Sequence, residues 1–434
     1  MDPPLALLTA AEKGETNKVR RLLDEGANIE ERTEFRTSAL HAAASHGHVS
    51  VIQLLMKKGA RINVDVKGNN GDTPLLCASE HGHDEVVKAL LARGAHITRS
   101  SSGTPLHVAA KNGHAGCVVL LLKRGPHVHA AKTDDGRLAI HVAAQCGRDA
   151  VVEILLQNGA RDVNAKATNG LTPLHAAVGE GHGSTVQLLL RNGAEVNATT
   201  AQGDTPLHVA VSKKYTAVLH LLLQNGADPS AISNNGDAPL HAATRAGRLT
   251  DGVDAAMTVQ TLLENGAEID ARGHDRNTAL DIAVKFRVDA VVNTLLERGA
   301  DPNATTHADW DSLLHTATLQ SDLVLMRTLL EHGAAVDAQG FAGLTPLHLA
   351  ASIGSGAMVE LLLEKGADIS AMSAAGTTPL DVARYDNEDV LAALLEPMRR
   401  VQCAFAMGHH PRLGAASIVQ TLDLEVVRMV LDLV

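Results

Sequence analysis

The stretch "GLTPLHAAVGEGH", residues 170–182, decides the fold. Its two histidines, His175 and His182, beside a glycine turn look at first like part of a metal or general-base site, and the chain holds 23 histidines in all. Sliding the fragment along the sequence gives the answer, because it keeps matching. "TSALHAAASHGH" begins at 37, "GTPLHVAAKNGH" at 103, "DTPLHVAVSKKY" at 204, "DAPLHAATRAGR" at 237 and "LTPLHLAASIGS" at 344. With the Leu or Ile of each fragment as marker, the series runs 7, 40, 75, 106, 140, 174, 207, 240, 280, 314, 347, 380. Most steps are 33 to 35 residues, with one of 31 and one of 40. A sustained period near 33 is the signature of stacked supersecondary units, and it has to be read before any local motif.

Repeat six shows why the pattern folds. Thr172 is placed to cap a helix and Pro173 to occupy its first turn, where a missing N–H costs nothing. Ala176 and Ala177 keep that helix slim enough for close stacking. A turn at Gly181–His182 leads to a second helix with Val186, Leu188, Leu189 and Leu190, and Gly193 supplies a left-handed stop. "AEVNATTAQGD" then forms a finger into the next repeat. These residues resemble ankyrin repeats, in twelve copies over residues 1–398. The resemblance implies an all-α dominated solenoid of helix-turn-helix units with β-hairpin-like fingers. One repeat cannot bury its own apolar face, so stability comes from neighbours. That accounts for a 434-residue chain with only 2% aromatic residues.

The histidines sort by register. His41, His107, His141, His175, His208, His241, His315 and His348 share one repeat position, and the resemblance implies that this imidazole bonds backbone between loops. His48, His83, His114 and His182 share the Gly-His turn. Residues one repeat apart do not converge on a point, as a metal site requires. His127 and His129, and the His409–His410 pair, lie outside the register and lack a third ligand. No nucleophile–base, Walker or dinucleotide motif is present. The sequence therefore predicts no catalytic, cofactor or metal site.

The net charge of −11, without a basic run, disfavours a nucleic-acid partner. No apolar run approaches the ~20 residues that span a bilayer. Cys77, Cys117, Cys146 and Cys403 have no disulfide spacing, and three of them read as buried thiols of a reducing compartment. The expectation is a monomer of the cytoplasm, with the nucleus left open.

Departures from the period mark where function can lie. Repeat eight carries about seven extra residues around 247–257. Repeat nine replaces the histidine with Asp281 and the helix-ending glycine with Arg287. Repeat ten places Trp310 at a finger glycine position. The residue five or six after the marker should look onto the concave surface. It is polar in early repeats and becomes Phe286, Leu319, Ile353 and Tyr385 in repeats nine to twelve, where the fingers add Trp310, Phe341 and Met372. Large exposed apolar residues on one face suggest a protein partner, and the ankyrin resemblance implies the same surface.

Residues 399–434 leave the period. Leu424, Val427, Leu431 and Val434 are spaced to share a helical face, which suits a cap over repeat twelve. "LDLEVVRMVLDLV" is also similar to the first helix of an F-box, through Leu422, Glu425, Val426, Val430 and Leu431. Asp423 stands where that motif has proline. This similarity implies an alternative role as a substrate adaptor of a ubiquitin ligase.

Overall fold

The computed structural model describes residues 6–59, 62–158, 163–249, 252–304, 311–383 and 389–395. They fall into two compact bodies, Met1–Asn235 with repeats one to seven and Gly236–Val434 with repeats eight to twelve.

Repeat six again shows the local logic. Thr172 has extended backbone, and its hydroxyl accepts from the His175 N–H at 3.4 Å. Pro173 opens the inner helix Pro173–Gly179, and Gly181 turns the chain with φ +76. The outer helix Gly183–Arg191 follows and Gly193, at φ +84, ends it. Leu174, Ala177 and Val178 on the first helix and Val186 and Leu189 on the second are buried.

Within the N-terminal body the inner helices stack in chain order. They are Ala6–Glu12, Ala39–Ser45, Pro74–His81, Pro105–Asn112, Ala139–Gln145, Pro173–Gly179 and Pro206–Lys213. The C-terminal body repeats this with Pro239–Ala246, Ala279–Phe286, Leu313–Leu319, Pro346–Ile353 and Pro379–Val382, and outer helices stack alongside in both bodies. Marker residues from Leu7 to Leu347 are at most 2% exposed, so each repeat's core residue is covered by its neighbours. Full burial of one such side chain is worth roughly 1.5–3 kcal/mol.

The fingers are tighter than hairpins. In one, Thr200 N–H donates to Asp204 O and Gly203 N–H to Thr200 O, closing a turn with Gly203 at φ +79. Neighbouring fingers meet at their tips: Thr168 N–H donates to Asp135 O, Ala201 N–H to Asn169 O and Asn234 N–H to Gln202 O. A Cβ on Gly203 would lie 2.6 Å from the Asn234 nitrogen, so the close approach itself requires glycine. Among the described residues the only β pairing consists of the isolated bridges Arg32–Ser38 and Ser100–Gly103. One bond per finger pair is too few to build a ladder.

The extra length of repeat eight becomes structure. A 3-10 turn, Gly247–Leu249, follows the inner helix, and the outer helix Val253–Glu264 has 12 residues where repeat six has 9. A Cβ on either Gly247 or Gly252 would lie 2.8 Å from the Val288 side chain, so both glycines close around it. Val288, buried, stands where repeats two, three, four and six carry the turn histidine. An apolar contact here takes the place of a polar one.

Non-glycine residues hold the left-handed helix end at Lys214 (φ +61) and Arg287 (φ +57). That conformation costs an L residue about 1 kcal/mol. Lys214→Gly is therefore expected to stabilise the chain by about 1 kcal/mol in urea unfolding. Gly82→Ala should cost at least about as much, since its Cβ would sit 2.4 Å from the His114 ring. A neutral result for both would break the account of these turns.

Candidate functional site

The histidines form two structural ladders. The Nδ1 of His175 faces the Thr172 N–H at 3.3 Å, and a nitrogen that accepts there must carry its hydrogen on Nε2. That Nε2–H donates to Asp204 O of the next repeat at 3.1 Å. The same reach joins His41 to Asp72 O at 3.0 Å, His107 to Arg137 O at 3.1 Å, His315 to Leu344 O at 2.9 Å and His348 to Thr377 O at 2.9 Å. His141 and His241 do likewise, each spanning two carbonyls of the following finger. The turn histidines reach backward instead, His48 to Glu12 O, His83 to Ser45 O, His114 to Glu80 O and His182 to Gln145 O. Arg148 does the same work, its Nε donating to Lys111 O at 3.0 Å.

A third ladder runs on asparagine. Asn164 donates to Gly193 O and accepts from Glu195 N–H, Asn197 bridges Gly226 O and Asp228 N–H, and Asn303 bridges Gly333 O and Ala335 N–H. The sequence reading missed this ladder, although its signal was present as an Asn recurring two or three residues after the Gly-Ala-x step.

Asp281 is the exception on the forward ladder. One carboxylate oxygen accepts from the Thr278 N–H at 2.7 Å and from its hydroxyl at 3.1 Å, while the other, in a side chain only 5% exposed, has no partner. Burial raises its pKa above the usual carboxylate range. It reproduces the cap and not the link to the next repeat. Among the described residues no group of three or more His, Cys, Asp and Glu could hold a metal ion. The cysteines differ from one another: Cys117 is buried and its thiol donates to Asp84 at 3.0 Å, whereas Cys77 and Cys146 are half-buried rather than enclosed. Burial pushes the Cys77 thiol up to about 11, which suppresses its thiolate.

The surface residues singled out from sequence divide into three groups. Leu319, Phe341, Ile353 and Met372 are 57%, 71%, 42% and 62% exposed. Leu319 and Ile353 end neighbouring, mutually packed inner helices, and the fingers of Phe341 and Met372 are joined by Ala374 N–H donating to Ala342 O. Phe341 is itself positioned by its N–H bond to Asp311 at 2.9 Å. Phe286 is half-buried, with the Arg248 guanidinium 3.8 Å above its ring. Trp310, Tyr385 and the tail residues Leu422, Glu425, Val426, Val430 and Leu431 lie outside the described residues.

Sequence reasoning did not single out Val253, Met257 and Val324, exposed apolar residues of the outer helices. In the N-terminal body it missed a polar groove of about 640 Å³ in repeats four to six. There Arg137 is fixed by Asp135 at 2.5 Å and Gln145 at 2.7 Å, and Arg137 with Thr133 holds the Asp135 carboxyl down to about 2. Partners two or eight residues apart across a turn are not visible in a helical period.

Ladders, stacked helix pairs and finger turns together match a known repeat. The family described as "Ankyrin repeats (3 copies)" matches residues 7–101, 98–167, 161–233, 219–306 and 314–403. The chain belongs to the ankyrin-repeat family. Among its relatives, mouse NF-kappa-B inhibitor delta is 35% identical over 106 residues, 24% of this chain and 32% of that protein. The mouse B-cell lymphoma 3 protein homolog is 35% identical over 100 residues, 22% of each. The chain thus spans a third or less of the length of these relatives. A crystal structure of the Bcl-3 ankyrin repeat domain aligns with TM-score 0.47 at 33% identity, over 52% of this chain and 99% of that one. As an ankyrin-repeat protein the chain is a protein-interaction scaffold. Among the described residues no helix is long and apolar enough to cross a membrane.

Burial holds six of the forward imidazoles neutral. Desolvation lowers the pKa of His41, His107, His141, His241 and His315 below 6.5, and that of His175 to about 4. As pH falls below 6.5 the unfolded chain takes up protons that the folded chain refuses, so stability grows with pH in this window. It is complete above 6.5 and lost progressively toward about 4 for His175. His175 alone should withdraw about 2 kcal/mol by pH 5. Thermal melts are expected to show Tm falling by several degrees from pH 7.5 to 5, with His175→Gln less sensitive than the parent. A Tm that is flat or rises on acidification would contradict the lowered pKa of His175 and the five imidazoles like it.

Proposed function

We propose that this ankyrin scaffold captures a protein partner on the inner-helix and finger surface of repeats nine to twelve. The observation that carries the reading is the exposure of Leu319, Phe341, Ile353 and Met372 on neighbouring inner helices and fingers of one body. Large apolar side chains usually sit at low exposure, and those that anchor an interface each contribute about 1–4 kcal/mol on burial against a partner. None of the four is needed to fill the stack, whose marker leucines are already enclosed. The array of residues 1–398 is the binding body in this reading, and the protein acts as a cytoplasmic monomer.

The tail supports a second role through its sequence alone. Residues 399–434 either cap repeat twelve or, through the pattern at Leu422, Glu425, Val426, Val430 and Leu431, recruit a ubiquitin ligase.

Both readings meet one experiment. Affinity purification with mass spectrometry would compare the full chain, the 1–398 truncation and a Leu319→Ala/Phe341→Ala double variant, each checked for folding by circular dichroism. The surface reading expects the folded double variant to lose its main partner, with affinity down at least about tenfold. Loss of ligase subunits from the truncation alone would establish the adaptor role. Retention of every partner by the double variant would refute the placement on the late repeats.

A further inference from the structure

We propose that Arg248, in the insertion of repeat eight, is a charge-selecting anchor of the same surface, so that the partner segment joins apolar side chains to an acidic residue. The proposal rests on the reading that the partner docks on the late repeats.

The inner helices of repeats eight to eleven end in a row of unlike groups. The first presents Arg248 in its trailing 3-10 turn, and the next three present Phe286, Leu319 and Ile353. Arg248 is exposed, yet its guanidinium is not loose: it lies 3.8 Å from the centroid of the Phe286 ring. Stacking over an aromatic face uses the flat side of the guanidinium and leaves its in-plane N–H donors directed outward. A cation held in that way loses little further freedom when it takes a carboxylate with two parallel bonds.

The neighbouring charges make the choice of partner definite. Arg245 is neutralised by Asp237, and Arg287 pairs with Asp322 at 2.9 Å. Arg248 and Lys285 have no carboxylate among the described residues, although the whole chain carries −11. Among the described residues two cations without a carboxylate partner thus stand at the repeat eight and nine end of the row, in a protein of net charge −11. An apolar segment carrying Asp or Glu at the matching end satisfies both features, and a basic segment is repelled. Arg248 reaches Phe286 from the 3-10 turn Gly247–Leu249, which continues directly from the inner helix of repeat eight.

The test uses a random 16-residue peptide-display library panned against the intact full-length protein, against Arg248→Met and against Arg248→Glu. Methionine keeps apolar cover over Phe286 without charge, and thermal melts confirm that each variant is folded. The expected wild-type pool joins Leu, Phe or Trp to Asp or Glu, the Met variant keeps the apolar consensus and loses the acidic one, and the Glu variant selects Lys or Arg. A wild-type peptide, measured by fluorescence polarisation, should bind Arg248→Glu about tenfold more weakly. A wild-type pool without acidic preference, or one unchanged in both variants, overturns the proposal while leaving the surface intact. If the selected peptides bind Leu319→Ala/Phe341→Ala as tightly as wild type, the surface itself is misplaced, whatever Arg248 does.

Discussion

The constraint shared by most of the stack is the hydrogen bond from one repeat's imidazole to the next repeat's backbone. An isolated helix pair of about 33 residues cannot enclose its own leucines, so the core exists only between repeats. Apolar burial supplies the drive for stacking but little direction. The Nε2–H of His175 reaching the part-buried Asp204 O supplies direction, because the buried ring finds that acceptor only when the next finger sits at one distance and angle. The same imidazole completes the cap of its own helix through Nδ1. One side chain thus couples the start of a helix to the placement of the following repeat, and burial keeps it neutral for both tasks.

Substitutions along the ladders show that position matters more than residue type. Leu76 fills the forward position of repeat three and is buried, giving up the bond without leaving a polar group behind. Arg148 takes over a backward link with its guanidinium. Val288 abandons the polar link and packs against Gly247 and Gly252, which ties the insertion of repeat eight to the turn between the two helices of repeat nine. Asp281 is the costly variant, since its second oxygen is enclosed without a donor. Departures from the histidine links thus begin as early as repeat three, while the one that encloses an unpartnered carboxylate oxygen is in repeat nine.

Exposed apolar side chains are grouped in this region, although Phe35 and Ile232 of the N-terminal body are exposed too. Repeats ten and eleven place Leu319, Phe341 and Ile353 in water, while Phe286 at the end of the repeat nine inner helix is sheltered by Arg248. A solenoid separates these tasks easily, because the residues that hold neighbours together lie between helices and the residues that meet a partner lie on their ends. Irregularity in one set can then accompany specificity in the other.

The fold was legible from residues 170–182 because a period of 33 leaves only one way for each apolar face to be covered, by its neighbours. Thr172, Pro173, Gly181 and Gly193 announce cap, first turn, hinge and stop through backbone preferences that act locally. The structural role of the in-register histidines was legible for the same reason. What the sequence could not carry were contacts made across the period. The backbone partners of the recurring asparagines, the lack of hairpin ladders among the described finger residues, the orphan oxygen of Asp281 and the guanidinium of Arg248 over Phe286 all depend on how closely two repeats approach. Sequence spacing fixes which residues share a face, because helical and repeat periods are local. Only the tertiary structure decides whether a residue on that face stands in water or beneath a neighbour, because that depends on side chains 30 or more residues away in the chain.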